Sequence, residues 1–196
     1  MFSGIIQSTG IISSIQSNGT TSRLEIQSPI SSALYIDQSI AHDGICLTVT
    51  QIEQDSHWVD VVKETLSKTT FSQLRFGQVI NLEKSLTLST LLDGHLVQGH
   101  VDTSLQCIDC RDENGSWNLK FILPAEFANL VIPRGSICLN GVSLTIAKLF
   151  DDSFEVAIIP YTFNHTNFKF IQPGDLVNVE FDLIGKYLLR QNTIIE

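Results

Sequence analysis

The sequence predicts an all-β fold, two small closed barrels in tandem followed by a short helix, and three observations predict it. One block occurs twice: Ile40-Ala-His-Asp-Gly-Ile-Cys-Leu-Thr-Val49 is echoed by Ile137-Cys-Leu-Asn-Gly-Val-Ser-Leu-Thr-Ile146, placing Gly44 and Gly141 97 positions apart (141 minus 44). The same offset carries Thr65, Thr69, Phe71, Gly77, Asn81 and Glu83 onto Thr162, Thr166, Phe168, Gly174, Asn178 and Glu180, so a whole module is duplicated. Short Val, Ile, Thr and Ser runs alternate with Gly, Asn, Asp and Pro turn signals, and almost nothing before residue 182 keeps an apolar period of 3.6. Many short antiparallel strands in a module of about 90 residues close into a barrel, because closure removes exposed strand edges; a sandwich is the alternative.

Within the first module Ile45, Leu47 and Val49 share one strand face and leave Cys46, Thr48 and Thr50 on the other. The second copy repeats this, with Val142, Leu144 and Ile146 opposite Ser143, Thr145 and Ala147. Val177, Val179 and Phe181 likewise oppose Asn178, Glu180 and Asp182. Residues 67–74 and 164–171 follow the strongest strands and precede Gly77 and Gly174, which suits a short helix or turn in each module. The expected organisation is a first module over 1–94, a second over 95–182, and a tail over 183–196. In that tail Ile184, Tyr187 and Leu188 recur at i, i+3 and i+4, the mark of an amphipathic helix too short to stand alone in water. It docks either on its own barrel or on another subunit.

A net charge of −9 and a pI near 4.9 argue against nucleic acid, which needs clustered Lys and Arg. Neither a secretory leader nor 18 consecutive apolar residues can be read in the chain, so a cytoplasmic protein with no membrane partner is expected. The four cysteines, Cys46, Cys107, Cys110 and Cys138, are then expected to be free thiols. Cys107-Ile-Asp-Cys110 invites a metal reading, but residues three apart on a regular strand point to opposite faces, and no second ligand pair follows.

Phe2-Ser-Gly4-Ile5-Ile6 matches Val97-Gln-Gly99-His100-Val101 at an offset of 95 (99 minus 4), so two residues are inserted between there and the later repeats. Gly4 and Gly99 sit in strand-like runs, where glycine admits close approach by a ligand's atoms or else marks a bulge. Beside them the polar strand faces carry Cys46 and Thr48 in one half and Ser143 and Thr145 in the other.

The opening Met1-Phe-Ser-Gly-Ile-Ile6, the block Asp43 to Val49, Lys63-Glu-Thr-Leu66, Gly94-His-Leu-Val-Gln-Gly-His-Val101 and Asn140-Gly-Val-Ser-Leu-Thr145 together resemble riboflavin synthase of the α-chain type. The likeness runs from Met1 to about Asp182, with the terminal helix in place. It implies two six-stranded Greek-key barrels, a homotrimer held largely by C-terminal helices, and a site where one subunit's N-terminal barrel faces a neighbour's C-terminal barrel. It also implies a dismutation with no cofactor or metal: two 6,7-dimethyl-8-ribityllumazine molecules exchange a four-carbon unit, giving riboflavin and 5-amino-6-ribitylamino-uracil. In some bacteria such a trimer sits inside a lumazine synthase shell, a partner the resemblance adds.

By the same resemblance His100 is the acid-base candidate, Ser143 and Thr145 position water or hydroxyl at the acceptor ring, and Cys46 and Asp182 assist. A base must take protons from the C7 methyl of one lumazine while a nucleophile adds at C7 of the other. Binding positions carried over are Gly4, Ile5, Ile6, Cys46, Leu47, Thr48, Asp60, Val61, Val62, Lys63, Glu64 and Thr65, grouped with the first barrel. Gly99, His100, Val101, Ser143, Leu144, Thr145, Ala157, Ile158, Ile159, Pro160, Tyr161 and Thr162 are grouped with the second, and Arg134 is a position contributed from the other chain, where the family often has Lys. His95, beside the module boundary, is read as structural. The rival readings are a non-catalytic lumazine-binding antenna protein and the flavin-binding barrel of reductases, for which the Arg-x-Tyr-Ser/Thr signature is missing.

Overall fold

Six antiparallel strands close each module into a barrel in the computed structural model, which describes residues 1–195, with side-chain surroundings as far as Gln191. The first barrel holds β1 (Ser8–Asn18), β2 (Thr21–Gln27), β3 (Ser39–His42), β4 (Ile45–Glu53), β5 (Ser56–Val62) and β6 (Val79–Lys84). The second holds β7 (Thr103–Asp112), β8 (Trp117–Ile122), β9 (Ser136–Leu139), β10 (Val142–Leu149), β11 (Ser153–Ile158) and β12 (Leu176–Phe181). Around the first barrel the order is β1-β2-β5-β4-β3-β6, and β7-β8-β11-β10-β9-β12 repeats it. Pairing β2 with β5 rather than β3 is a Greek-key crossing, and it leaves no open edge.

The alternation read in the sequence sets the core: Ile45, Leu47 and Val49 are buried with Val59 and Val61 inside one barrel. Val142 and Ile146 are buried with Val156 and Ile158 inside the other, and Leu144 packs against them. The offset changes from 95 to 97 at an identifiable place. Leu24 faces Val59 as Leu119 faces Val156, so the extra residues lie after β8, where a 3-10 turn over Ala125–Leu130 replaces the shorter one over Ser31–Ala33.

Two expectations need correction. Cys107 and Cys110 do not point to opposite faces, because a bulge between Cys107 and Asp109 turns both towards Phe121 and Leu119 in the core. They fill the places of Ile12 and Ile15 (offset 95), and burial pushes their thiols up, Cys107 to about 11. The short helices begin earlier than 67 and 164: α1 is Lys63–Lys68 and α2 is Pro160–His165. Each is followed by a 3-10 turn, Thr70–Gln73 or Asn167–Phe170, whose second N–H, that of Phe71 or Phe168, is capped by the hydroxyl of Thr69 or Thr166. The tail helix α3 runs Leu183–Ile195, longer than the periodic stretch, and Glu196 lies outside the described residues.

The barrels meet along a pseudo-two-fold axis where Gly44 and Gly141 sit back to back; a Cβ on either would lie 2.8 Å from the other's nitrogen. Around them Asn81 Nδ2 donates to the Asn140 carbonyl at 2.9 Å, and Asn178 Nδ2 donates to the Asp43 carbonyl at 3.0 Å. Asp43 and Asn140 play the same part, their Oδ1 atoms accepting from Asn81 and Asn178 N–H at 2.7 and 2.8 Å. Burial raises the Asp43 carboxyl to about 8, against the hydrogen bonds from Asn81 and Asn167. The folded chain therefore keeps a proton that the unfolded chain gives up above about pH 4, so Asp43's contribution to stability is complete below that pH and is lost as pH rises through 8. Asp43→Asn, which makes the junction match its own repeat, is expected to gain stability over the parent at up to about 1.4 kcal/mol per pH unit between pH 4 and 8, read by urea unfolding; a constant difference across that range would contradict this.

Inside the first barrel a second departure from the repeat runs the other way. Ser31, His42 and His57 are buried where the second barrel has Ala128, Leu139 and Phe154. Ser31 Oγ lies 2.8 Å from His57 Nδ1, His57 Nε2 lies 2.9 Å from His42 Nε2, and His42 Nδ1 lies 3.2 Å from the Ile40 carbonyl. Since a carbonyl only accepts, neutral rings order the chain one way: Ser31 donates to His57, His57 to His42, and His42 to Ile40. Burial pushes His57 down to about 4 and His42 well below its usual value, helped by His57 itself. The unfolded histidines titrate near 6.5, so this stability is present above that pH and is lost as pH falls towards 4, by about 1.4 kcal/mol per pH unit for each proton. The triple change Ser31→Ala, His42→Leu, His57→Phe is expected to remove this acid-side loss, so that the stability of the parent relative to the variant in urea unfolding rises from pH 5 to pH 7; a difference that stays constant over that range would contradict it.

Candidate active site

Each module begins with a short arm that lies on the other module's barrel. Phe2 and Val97 exchange main-chain hydrogen bonds at 2.7 and 3.1 Å, which sets the two arms side by side. Past that bridge the first arm crosses to the second barrel, where Ser143 N–H donates to the Gly4 carbonyl at 2.8 Å. The second arm crosses to the first barrel, where Cys46 N–H donates to the Gly99 carbonyl at 2.9 Å. Ile6 accordingly packs on the second core and Val101 on the first. Gly4 and Gly99 have φ of 77° and 80°, and a Cβ on either would lie 2.6 Å from Cβ of Ser143 or Cys46. The close approach that these glycines permit is made by the opposite barrel's strand.

Both arms are held by a buried glutamate. Glu83 Oε1 accepts from Ser3 N–H and Oγ–H at 2.7 Å, and its Oε2 from Gly4 N–H at 3.0 Å. Glu180 accepts from the N–H groups of Gln98, Gly99 and His100 at 2.6, 2.8 and 2.9 Å. Burial pushes both carboxyls up, and these hydrogen bonds pull them back.

The residues expected at binding positions therefore group crosswise, not barrel by barrel. Gly99, His100 and Val101 lie with Cys46, Leu47 and Thr48 and with the run from Asp60 to Thr65; this is the Cys46 cleft. Because Val49 pairs with Val59, Thr48 and Asp60 stand together on the outer strand face, Leu47 and Val61 turn inward, and exposed Val62 leads into α1. Lys63 and Glu64 are exposed on α1, where Glu64 pairs with Lys68 at 2.9 Å, and the Thr65 carbonyl takes the Thr69 hydroxyl. Gly4, Ile5 and Ile6 lie with Ser143, Leu144 and Thr145 and with the run from Ala157 to Thr162; this is the Ser143 cleft. There Thr145 and Ala157 share the outer face beside the Ile146–Val156 pair, Ile158 is buried, and exposed Ile159 leads into Pro160 and Tyr161 of α2. Tyr161 stacks on His165 at 4.1 Å, and a groove of about 230 Å³ continues past Ile6, Asn164 and Lys169. The larger cavity, about 470 Å³, lies at neither cleft but at the barrel junction beside Asp43, Thr70, Asn140 and Asn167.

Polar groups are distributed unequally between the clefts. His100, exposed on the second arm, follows directly on the residue that binds Cys46. The Ser143 cleft has Ile5 at the matching position, and its imidazole comes from His95, whose Nδ1 lies 2.7 Å from Ser143 Oγ. Burial lowers the His95 pKa and nearby Asp182 opposes the shift, so the ring is neutral at pH 7. His95, read from the sequence as structural, thus contacts the hydroxyl of Ser143. Repeat comparison passes over it because an offset of 95 maps His95 to a position before Met1. Asp182 lies at the start of α3, where its carboxylate caps Ile184 N–H at 2.9 Å. Arg134, at φ 64°, donates its backbone N–H to the Ile146 carbonyl, and among the described residues no hydrogen bond or ion pair joins its exposed side chain to either cleft.

Duplicated barrels with exchanged arms define a two-repeat β-barrel protein, and the lumazine binding domain model matches the chain twice, over residues 3–85 and 98–182. Riboflavin synthase of Bacillus amyloliquefaciens is 37% identical over 191 residues, covering 97% of this chain and 89% of the relative. Riboflavin synthase of Mycobacterium tuberculosis is 36% identical, covering 97% of both. Among solved structures, LumP complexed with riboflavin superposes with a TM-score of 0.87 at 27% identity, covering 92% of this chain and 99% of that one. LumP complexed with 6,7-dimethyl-8-(1'-D-ribityl) lumazine gives 0.84 at 26% identity and the same coverage. The chain belongs to the riboflavin synthase family, and is an enzyme of the transferase class.

The arm contacts make a stability prediction. Gly19 also has positive φ but open space around it. Gly19→Ala is expected to cost about 1–2 kcal/mol for backbone strain alone, whereas Gly4→Ala and Gly99→Ala should each cost about 1–3 kcal/mol more for crowding the opposite strand. Thermal unfolding of the three variants tests this, and equal losses would mean that the arms are not held as described.

Proposed function

We propose that the chain is a riboflavin synthase that carries out the four-carbon dismutation of two 6,7-dimethyl-8-ribityllumazine molecules, yielding riboflavin and 5-amino-6-ribitylamino-uracil. The observation that carries this reading is the pair of crosswise clefts, alike in backbone and unlike in polar groups. Similar backbones suit two copies of one substrate, and unequal side chains suit the unequal roles of donor and acceptor. In the Ser143 cleft a neutral His95 accepts the Ser143 hydroxyl proton at Nδ1, so that Ser143, with Thr145, activates the nucleophile that adds at C7 of the acceptor ring. In the Cys46 cleft His100, with Cys46 beside it, takes the proton from the C7 methyl of the donor. Asp182 acts through His95, and Arg134 serves the cleft of a neighbouring subunit.

The clefts also bear on assembly. Ile5, Val62, Ile159 and Tyr161 are exposed around them, as are Ile184, Tyr187 and Leu188 on α3. Apolar surface of this kind suits a homotrimer in which α3 helices pack together and a cleft of one subunit faces the other kind of cleft on its neighbour, bringing two lumazines into contact. The proposal places this trimer in the cytoplasm, with lumazine synthase as a candidate partner.

The second reading, a lumazine-binding antenna protein, is favoured by the superposition on LumP with riboflavin and with the lumazine. Incubating pure protein with 6,7-dimethyl-8-ribityllumazine separates the two: riboflavin absorbance should grow with time, while tight binding without riboflavin would leave the antenna. His100→Ala is expected to slow turnover about 10²-fold or more, within the range for a lost general base, and Cys46→Ala is expected to slow it less. The reverse order would remove His100 from the acid-base role.

A further inference from the structure

Helix α3 has no counterpart in the first half of the chain, so whatever it contributes is given to one cleft and not the other. Lys186 on α3 places Nζ 2.6 Å from Asp102 Oδ2, and about a quarter of each side chain is exposed. The same Asp102 oxygen accepts from Phe181 N–H at 2.9 Å, and the Asp102 N–H donates to the Val179 carbonyl at 2.9 Å. These contacts straddle Glu180, whose carboxylate holds the arm through Gln98, Gly99 and His100.

The Lys186 charge reaches that carboxylate and works against its burial. Other titratable groups near Glu180 are Cys138 of β9, which burial keeps as a neutral thiol, and Glu83 of the first barrel, which acts on the same cysteine. Lys186 is the cation among them. The first module repeats the hydrogen bonds without the charge: Gln7 stands where the second has Asp102, its N–H donates to the Leu82 carbonyl at 3.0 Å and its Oε1 accepts from Lys84 N–H at 3.1 Å, while hydrogen bonds from Ser3, Gly4 and Ile5 work against the burial of Glu83.

We propose that Lys186 is a positioning residue for the reaction: paired with Asp102 beside the Glu180 cradle, it fixes the arm that carries His100 and so ties the seating of α3 to the Cys46 cleft. A protonated Glu180 would offer a donor where the arm also brings donors, loosening the N–H groups of Gly99 and His100 together. The effect on turnover rests on the synthase reading above; the effect on ligand binding does not.

The test compares Lys186→Met and Lys186→Arg with the parent in the full-length protein between pH 5 and pH 8. Riboflavin formation and fluorescence-detected binding of 6,7-dimethyl-8-ribityllumazine are both followed. Lys186→Met is expected to move the acid limb of kcat/KM upward by about one pH unit, a loss that approaches tenfold on the acid side of the limb and shrinks towards pH 8. Lumazine affinity should fall with the same pH dependence, and Lys186→Arg should restore both to within about twofold. Should Lys186→Met be too unstable to assay, Lys186→Gln, which retains a donor for Asp102 without the charge, takes its place. An unmoved acid limb, or a loss equal at all pH values, overturns the proposal. If the parent binds lumazine but forms no riboflavin, the synthase reading fails and the binding curves alone decide on Lys186.

Discussion

Two buried carboxylates hold this molecule together as one unit. Glu83 and Glu180 each stand one residue before the end of a barrel's last strand and accept main-chain N–H groups from an arm lying across the barrel junction. Charge-assisted hydrogen bonds of this kind are among the stronger contacts in a protein, and they offset the desolvation of a glutamate that is almost wholly buried. Parting an arm from its glutamate would leave a charge without donors in a place water does not reach. The arms are therefore seated firmly enough to carry cleft walls, and both clefts inherit their geometry from the junction.

The two halves differ at otherwise equivalent positions, and the proposed reaction rests on those differences. Cys46 stands against Ser143, Ile5 against His100, and the Glu64–Lys68 pair against Tyr161 stacked on His165. His95 and Lys186 fall outside the repeat register altogether, one supplied by the segment between the barrels and one by α3. Nothing in the backbone has to differ for the two pockets to act differently.

Much of the fold was legible because its cause is local. The alternation at Ile45, Leu47 and Val49 has to place one face inward, and Ile184, Tyr187 and Leu188 mark the amphipathic turn of α3. Pro160 at the first position of α2 was a start signal that the reading of 164–171 overlooked. What escaped depends on distant contacts or a single inserted residue. The bulge after Cys107 reverses the facing of Cys110, which no period-two count anticipates. The arms are anchored by Glu83 and Glu180, some 80 residues from the groups they hold, so a grouping by module does not show that Gly4 lies beside Ser143 and Gly99 beside Cys46. His95 lacked a repeat mate, and its bond to Ser143 spans 48 positions.

The exchange of arms also bears on how the chain arose. A half-length ancestor would have had an arm but no second barrel beneath it, and a surface around Gly44 shaped for a copy of itself. Two such copies related by a rotation axis would satisfy each other, since the contacts of Gly4 with Ser143 and Gly99 with Cys46, and of Asn81 with Asn140 and Asn178 with Asp43, are reciprocal in kind. Joining them into one polypeptide freed the halves from identity. Asp43 facing Asn140, and the imidazole pair standing where the sister barrel has Leu139 and Phe154, are differences that a strict homodimer could not have acquired one at a time.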